Sequence, residues 1–341
     1  MGEKGHLSRV LLECSLSDKL CVVVREQQYE VIIVPALLVG GFLILLAIIL
    51  WLFIRGQRSQ RQRPGLREPT GLREVQDFIG RIQFYQYLGK HKNLVQLEGC
   101  CTERLPLYVV LEDVVPGDLL SFLWTCRRDV MTMDGLPYDL TEKQIYHIGK
   151  QILLALEFLE NKNLFHGDVA ARNILIQSDL TVKLCRLGLA YEVHTQGAIS
   201  SARTNTIPLK WLAPERLLLR PANIRGDVWS FGILLYEMVT LGAPPYPEVP
   251  PTSILQHLQR GKIMKRPSSC SHAMYSIMKC CWHWSENSRP LPGELRLRLE
   301  AASRSANDKA VLQVPELVVP ELYADVAGIS AENFFYNYSV L

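Results

Sequence analysis

The sequence predicts an α+β domain carried behind one membrane-spanning helix. Three observations predict it. A run of 24 uncharged residues, Val31 to Ile54, stands near the start of the chain. Beyond it, short apolar stretches between turn residues suit strands. Further on, longer stretches repeat their apolar residues at helical spacing.

A helix of 24 residues at about 1.5 Å per residue covers the roughly 30 Å hydrocarbon core of a bilayer. A cleaved leader fits poorly, because 30 mixed-charge residues precede the run and no small-residue cleavage pattern follows Ile54. Directly after it come Arg55, Arg58, Arg61, Arg63 and Arg67 with no acid until Glu68, whereas Arg25 on the other flank is offset by Glu26 and Glu30. Positive charge favours the cytoplasmic side. Residues 1–30 are therefore expected to be extracellular or lumenal, 31–54 to span the membrane, and 55–71 to form a basic juxtamembrane linker that also suits anionic lipid headgroups.

The formal charge of +3 over 341 residues is near neutral and argues against a nucleic-acid binder. The nine cysteines form no CxxC pair, and no set has the spacing of a zinc site. Cys14 and Cys21 precede the apolar run and are either a disulfide or two free thiols.

Residues 72 to 88 read as an amphipathic helix through Val75, Phe78, Ile79 and Ile82. Strands are expected at Asn93 to Leu97 and Leu107 to Leu111. Helices return at Glu142 to Glu160, on Ile145, Ile148, Ile152 and Leu159, and at Asp227 to Leu241, which is apolar on nearly every side as a core helix would be. Beyond about residue 305 a short repeat, Val314-Pro-Glu-Leu and Val319-Pro-Glu-Leu, reads as an extended tail rather than a packed element.

Four separated motifs in order resemble protein kinases, and the tyrosine kinases in particular. His166-Gly-Asp-Val-Ala-Ala-Arg-Asn173 resembles the catalytic loop HRDLAARN. Pro208-Leu-Lys-Trp-Leu-Ala-Pro-Glu215 resembles the end of the activation segment. Asp227-Val-Trp-Ser-Phe-Gly232 and the stretch from Cys281-Trp282 to Arg289-Pro290 complete the set. Gly89-Lys-His-Lys-Asn93 and Pro106-Leu-Tyr108 are similar to receptor kinases of the fibroblast-growth-factor type. The resemblance implies a protein-kinase-like domain over 72–304, divided into an N-lobe remnant at 72–112 and a complete, mainly helical C-lobe at 113–304, with a tail at 305–341.

By the same resemblance Asp168 is the catalytic base, Asn173 a metal ligand and Arg172 part of the catalytic loop. Pro208, Lys210 and Trp211 shape a groove for a phenolic side chain. Glu215 and Arg289 form a buried ion pair, Asp227 holds the catalytic-loop backbone beside His166, and Leu111, Glu112 and Val114 form the hinge. ATP and Mg2+ are the implied cofactors if the chain is an active kinase.

The departures fall where nucleotide is handled. The metal-binding aspartate of the DFG motif falls in Lys183-Leu-Cys-Arg-Leu-Gly188, so its position holds Arg186, a permanent cation with no acceptor atom. The glycines between residues 55 and 90 form no GxG, and no lysine occurs between Lys19 and Lys90. Gln83 stands where the glutamate partner of the strand lysine belongs, and Gly167 replaces the arginine that pairs with a phosphorylated loop. Only 17 residues separate Arg55 from Gly71 inclusive, while three paired strands with turns need about twice that. The first N-lobe strands have no room, as in a form missing an internal segment.

The expectation is thus a membrane-anchored pseudokinase that binds signalling proteins at the inner membrane face. The alternatives are an active tyrosine kinase using Asp168, and a product that does not fold independently because its C-lobe lacks cover. Tyr323, three residues before Val326, and Ser339 to Leu341 are candidate recruitment sites for a phosphotyrosine reader and for a strand-adding domain that takes chain ends.

Overall fold

The computed structural model describes residues 71–104, 106–127, 138–197, 208–314, 318 and 320–328. Among these no helix is long and apolar enough to cross a membrane. The expected span at 31–54, Cys14 and Cys21, the basic linker up to residue 70, residues 198–207 of the activation segment and Ser339 to Leu341 lie outside the described residues.

Helix α1, Leu72–Leu88, matches its expected limits and ends at Gly89, whose φ of 74° suits a residue without a Cβ. Its anchored part is the second half, where Ile82, Phe84 and Leu88 are buried. Of the apolar stripe read from the sequence only Ile82 is among these, and Val75, Phe78 and Ile79 are half-buried. In a complete N-lobe a sheet would cover them, and here the sheet has two strands. These are β1, Leu97–Cys101, and β2, Tyr108–Leu111, paired antiparallel.

The first strand begins where the expected one ends. Asn93 to Val95 do different work: the Leu184 amide donates to the Asn93 carbonyl and the Val95 amide to the Leu184 carbonyl, so this apolar run ties the remnant to the lower lobe. Leu94 and Val95 are accordingly buried.

The lower lobe follows. A three-stranded antiparallel sheet is built from β3, Pro116–Asp118, β4, Ile174–Gln177, and β5, Val182–Leu184. The helices are α2, Leu119–Thr125; α3, Glu142–Glu160; α4, Gly188–Gln196; α5, Pro214–Leu217; α6, Ile224–Val239; α7, Ile254–Gln259; α8, His272–Cys281; and α9, Pro292–Ser303. Helix α3 has its expected limits. Thr141 accepts from the Gln144 amide while the Gln144 side chain accepts from the Thr141 amide, which closes its first turn. It is the central post of the lobe, packed on α6, α9 and β5.

Helix α6 starts three residues earlier than expected, at Ile224, because the Asn223 side chain accepts from the Arg225 amide and caps it. It is buried on nearly every side. Gly232 makes that possible: a Cβ there would stand 2.6 Å from Cys281 Cβ and from Trp282 Nε1, so α6 and α8 approach as closely as they do only without a side chain.

The tail departs from the sequence expectation. The Leu312 amide donates to the Leu140 carbonyl, Lys143 pairs with Asp308 at 2.9 Å, and Val318 is buried. Residues 320–327 form helix α10, Pro320–Ala327, whose Tyr323, Ala324 and Ala327 are buried. The proline-containing repeat therefore leads into a packed element. Pro320 opens the helix, a position at which a missing amide hydrogen costs nothing.

Candidate active-site remnant and its ion pairs

The catalytic loop hangs from Asp227. Its carboxylate accepts from the His166 amide at 2.6 Å and from the Gly167 amide at 2.7 Å. Burial pushes this carboxyl up to about 6, while the nearby His166 and the two amides pull it back. The His166 ring is fully buried. Its Nδ1 accepts from the Asp168 amide and its Nε2 lies 2.8 Å from the Cys185 carbonyl, so the proton sits on Nε2 and the ring joins the catalytic loop to the strand leading to Arg186.

Gly167 has φ 83°, in the left-handed region. The sequence reads this residue as the loss of an arginine. The backbone adds that the position favours glycine, which adopts such angles without steric cost.

Asp168 is held from both sides. Arg172 donates to its Oδ1, and Asn173 Nδ2 donates to its Oδ2 at 2.7 Å and to its carbonyl at 2.7 Å. The three residues expected to form the catalytic loop are thus brought together. Arg172 also lies over the Trp211 ring, 4.6 Å from its centroid, which links the loop to the end of the activation segment.

Of the groove residues, Trp211 is fully buried and Pro208 opens the turn Leu209–Trp211. Lys210 points elsewhere. Its Nζ donates to the Tyr246 carbonyl at 2.8 Å, and burial lowers its pKa. It fixes the turn against the lobe.

Glu215 and Arg289 make two parallel hydrogen bonds of 2.7 and 2.8 Å. Arg289 spends its remaining donors on the carbonyls of Arg225, His283 and Trp284 and lies 5.1 Å from the Trp229 ring centroid. Every fork of the buried guanidinium is satisfied, which burial of a charge demands.

At the hinge, Leu111 ends β2. Glu112 exchanges hydrogen bonds with Gln96, donating its amide to the Gln96 carbonyl at 3.0 Å and accepting the Gln96 amide at 2.8 Å. Its other oxygen pairs with Lys183 at 2.9 Å. Val114 is buried with Val95 and Leu175. Gln83, by contrast, is exposed on α1, which corrects the expectation that it stands where an inward-facing glutamate would meet the strand lysine.

The model of the family described as protein tyrosine and serine/threonine kinase matches residues 66–299. The chain belongs to that family. Among its relatives, Tyrosine-protein kinase STYK1 of Mus musculus is 71% identical over 430 aligned residues that cover all of both chains. Tyrosine-protein kinase STYK1 of Homo sapiens is 64% identical over 423, covering 98% of this chain and all of the relative. Fibroblast growth factor receptor 1 of Xenopus laevis is 34% identical over 235 residues, 67% of this chain and 29% of that receptor. The two longer alignments exceed the 341 residues present here, so part of each of those relatives has no counterpart in this chain.

Kinase-family catalysis uses magnesium held by a loop asparagine and the DFG aspartate. Asn173 Oδ1 suits a metal, being a buried acceptor without a hydrogen-bond donor. The rest does not fit. Arg186 occupies the aspartate position with φ 61°, a left-handed backbone that costs a non-glycine residue about 1 kcal/mol, and its guanidinium repels a cation. Both Asp168 oxygens are already engaged. Among the described residues no group of three or more His, Cys, Asp or Glu forms a metal cluster.

The sequence reading missed two members of this region, Glu237 and Trp124. Glu237 Oε2 accepts the Ala171 amide at 3.1 Å and supports the catalytic loop from below. Burial pushes its carboxyl up to about 7, against the opposing pull of Tyr323, Arg172 and the Ala171 amide. A signal for it exists, since it is a carboxylate inside an otherwise apolar run of α6. Trp124, whose Nε1 donates to the Gly242 carbonyl at 3.1 Å, carries no such mark.

Proposed function

We propose that this kinase-family chain is a membrane-anchored pseudokinase that signals by binding proteins at the inner face of a membrane. The observation that carries the reading is Arg186 at the metal position, a permanent cation where a second metal-binding carboxylate would stand. The absent GxG and strand lysine support it. Differential stabilisation of a transferring phosphoryl group needs positioned cationic and metal charge, and these residues supply neither in the required place.

The 24-residue uncharged run and the arginines after it support an anchor with the domain on the cytoplasmic side and residues 1–30 outside or in a lumen. Anionic headgroups suit Arg55 to Arg67, and signalling proteins suit the lobe and tail. The greater length of the relatives, aligned over nearly all of both chains, supports the reading of a missing internal segment.

Thermal unfolding of the full chain in detergent, with and without ATP and magnesium, tests the reading. No magnesium-dependent rise in Tm is expected, and a clear rise overturns it. Protease digestion of intact cells is expected to remove an N-terminal tag, and a shielded tag refutes the orientation.

One observation favours a second reading, an active tyrosine kinase: Asp168, Arg172 and Asn173 keep the arrangement of a catalytic loop. That reading requires phosphotransfer by the wild type and its loss in Asp168→Asn.

A further inference from the structure

Tyr323 is fully buried, although the sequence marks it as a recruitment site. Its hydroxyl donates to Glu237 Oε1 at 2.5 Å. Its ring meets Trp211 edge-on at 5.3 Å between centroids and Trp124 at 6.0 Å. In this state the phenol is closed to a modifying enzyme and to a phosphotyrosine reader, which corrects the sequence expectation of an accessible Tyr323.

The neighbours of that ring are those of the catalytic loop. Trp211 lies under Arg172, which donates to Asp168, and Glu237 uses its second oxygen to hold the Ala171 amide. A phenol is therefore seated between two tryptophans, with its hydroxyl on a buried carboxylate, and is joined to the loop aspartate through Trp211 and Arg172. This seat is built for a tyrosine. Edge-on aromatic packing stabilises the ring beyond the area it buries, and a buried hydroxyl needs its acceptor.

The tyrosine is delivered by a segment fastened upstream. Asp308 pairs with Lys143, the Leu312 amide binds the Leu140 carbonyl, and Val311 bridges Thr141. Only the short stretch from Val314 to Pro320 then separates the fastened part from α10, so the seat sees its own tail at high effective concentration.

We propose that the pocket of Trp124, Trp211 and Glu237 is a recognition site for a tyrosine on a short helix, and that residues 320–327 occupy it as a ligand within the same chain. The tail closes this part of the groove to tyrosine-bearing peptides in trans. Displacing it opens the groove and exposes Tyr323 at the same time. The inference deepens the proposed binding role and rests on it for the identity of the groove. It does not rest on whether ATP is bound.

The test uses a fluorescent peptide of residues 318–328 and the full chain in detergent. Wild type is expected to bind the probe at least tenfold more weakly than a chain ending after residue 314. In the shortened chain, Trp124→Ala is expected to weaken the probe at least tenfold with its unfolding transition retained. A probe peptide carrying Tyr323→Ala is expected not to bind the shortened chain. Equal probe binding by the intact and shortened folded chains, or no binding by the shortened chain while its unfolding transition is retained, overturns the proposal. Loss of that transition on shortening is covered by the full-length Tyr323→Ala chain, in which backbone amides 321–327 are expected to exchange at least tenfold faster than in wild type. Unchanged exchange overturns it. The magnesium–ATP measurement is separate, so failure of the self-ligand and failure of the pseudokinase reading give different results.

Discussion

The lower lobe and the N-lobe remnant have kept different things. In the lower lobe, groups that serve folding are intact: Arg289 is bonded to Glu215 and three carbonyls, Asp227 holds two amides, α3 buries one full face and α6 is buried on nearly every side. In the remnant, the two strands are exposed or half-buried, and Val75, Phe78 and Ile79 of α1 are only half-buried. In the proposed reading the missing groups are those that would act on nucleotide. A fold can lose these and keep its core, because the catalytic-loop scaffold hangs from α6 rather than from the strands above it.

The contrast can be broken most severely at Glu215. Glu215→Ala leaves the buried Arg289 guanidinium without its carboxylate and is expected to cost about 3–5 kcal/mol in chemical denaturation. A cost below about 1 kcal/mol would mean that the lower lobe is not held as described. Next comes the remnant's own anchor. Phe84 is 2% exposed and meets Tyr191 and His194 with centroids at 5.8 and 5.4 Å. Phe84→Ala is expected to cost about 3 kcal/mol if α1 unfolds together with the lower lobe. A separate early transition that carries the whole loss would show that the remnant unfolds alone.

A pH effect of intermediate size separates the floor of the loop from its surroundings. The Asp227 and Glu237 carboxyls titrate at about 6 and about 7 in the fold, above their ordinary values of 3.8 and 4.5. Between those limits the folded chain binds protons that the unfolded chain has released. Their contribution to stability therefore falls as pH rises from about 4 to 7 and is level above. Glu237→Gln is expected to remove its share of that fall, on the order of 1–3 kcal/mol between pH 4.5 and 7.5. An unchanged slope would place the titration elsewhere.

Two smaller effects sharpen the comparison. Gly167→Ala, at φ 83°, is expected to cost about 1 kcal/mol through backbone strain alone. Gln83→Glu, on the exposed face of α1, is expected to change stability by less than about 0.5 kcal/mol and to restore no response to nucleotide. A magnesium-dependent response in that variant would mean that the lost glutamate, rather than Arg186, limits the site.

The long helices were legible because their signal is local. The apolar period of Glu142 to Glu160 gives the limits of α3 directly, and the four motifs place Asp168, Asn173, Glu215, Arg289 and Asp227 in contacts that the structure contains. Lys210 was less legible. Its motif puts it near the groove, yet its ammonium turns to the Tyr246 carbonyl, 36 residues away. The strand read at Asn93 to Leu97 failed for a similar reason, since its apolar run is drawn to Leu184 in the lower lobe.

Alone, the sequence determined the family resemblance, the placement of the long helices and the loss of the metal carboxylate. These depend on residue identity and on spacing within a few turns of chain. Only the tertiary structure decided the fate of Tyr323 and the tail. A proline-containing repeat and a lone tyrosine carry no local burial signal, and the pocket that takes them is assembled from Trp124, Trp211 and Glu237, residues scattered along the chain and joined only by the packing of α2, α6 and the activation-segment turn.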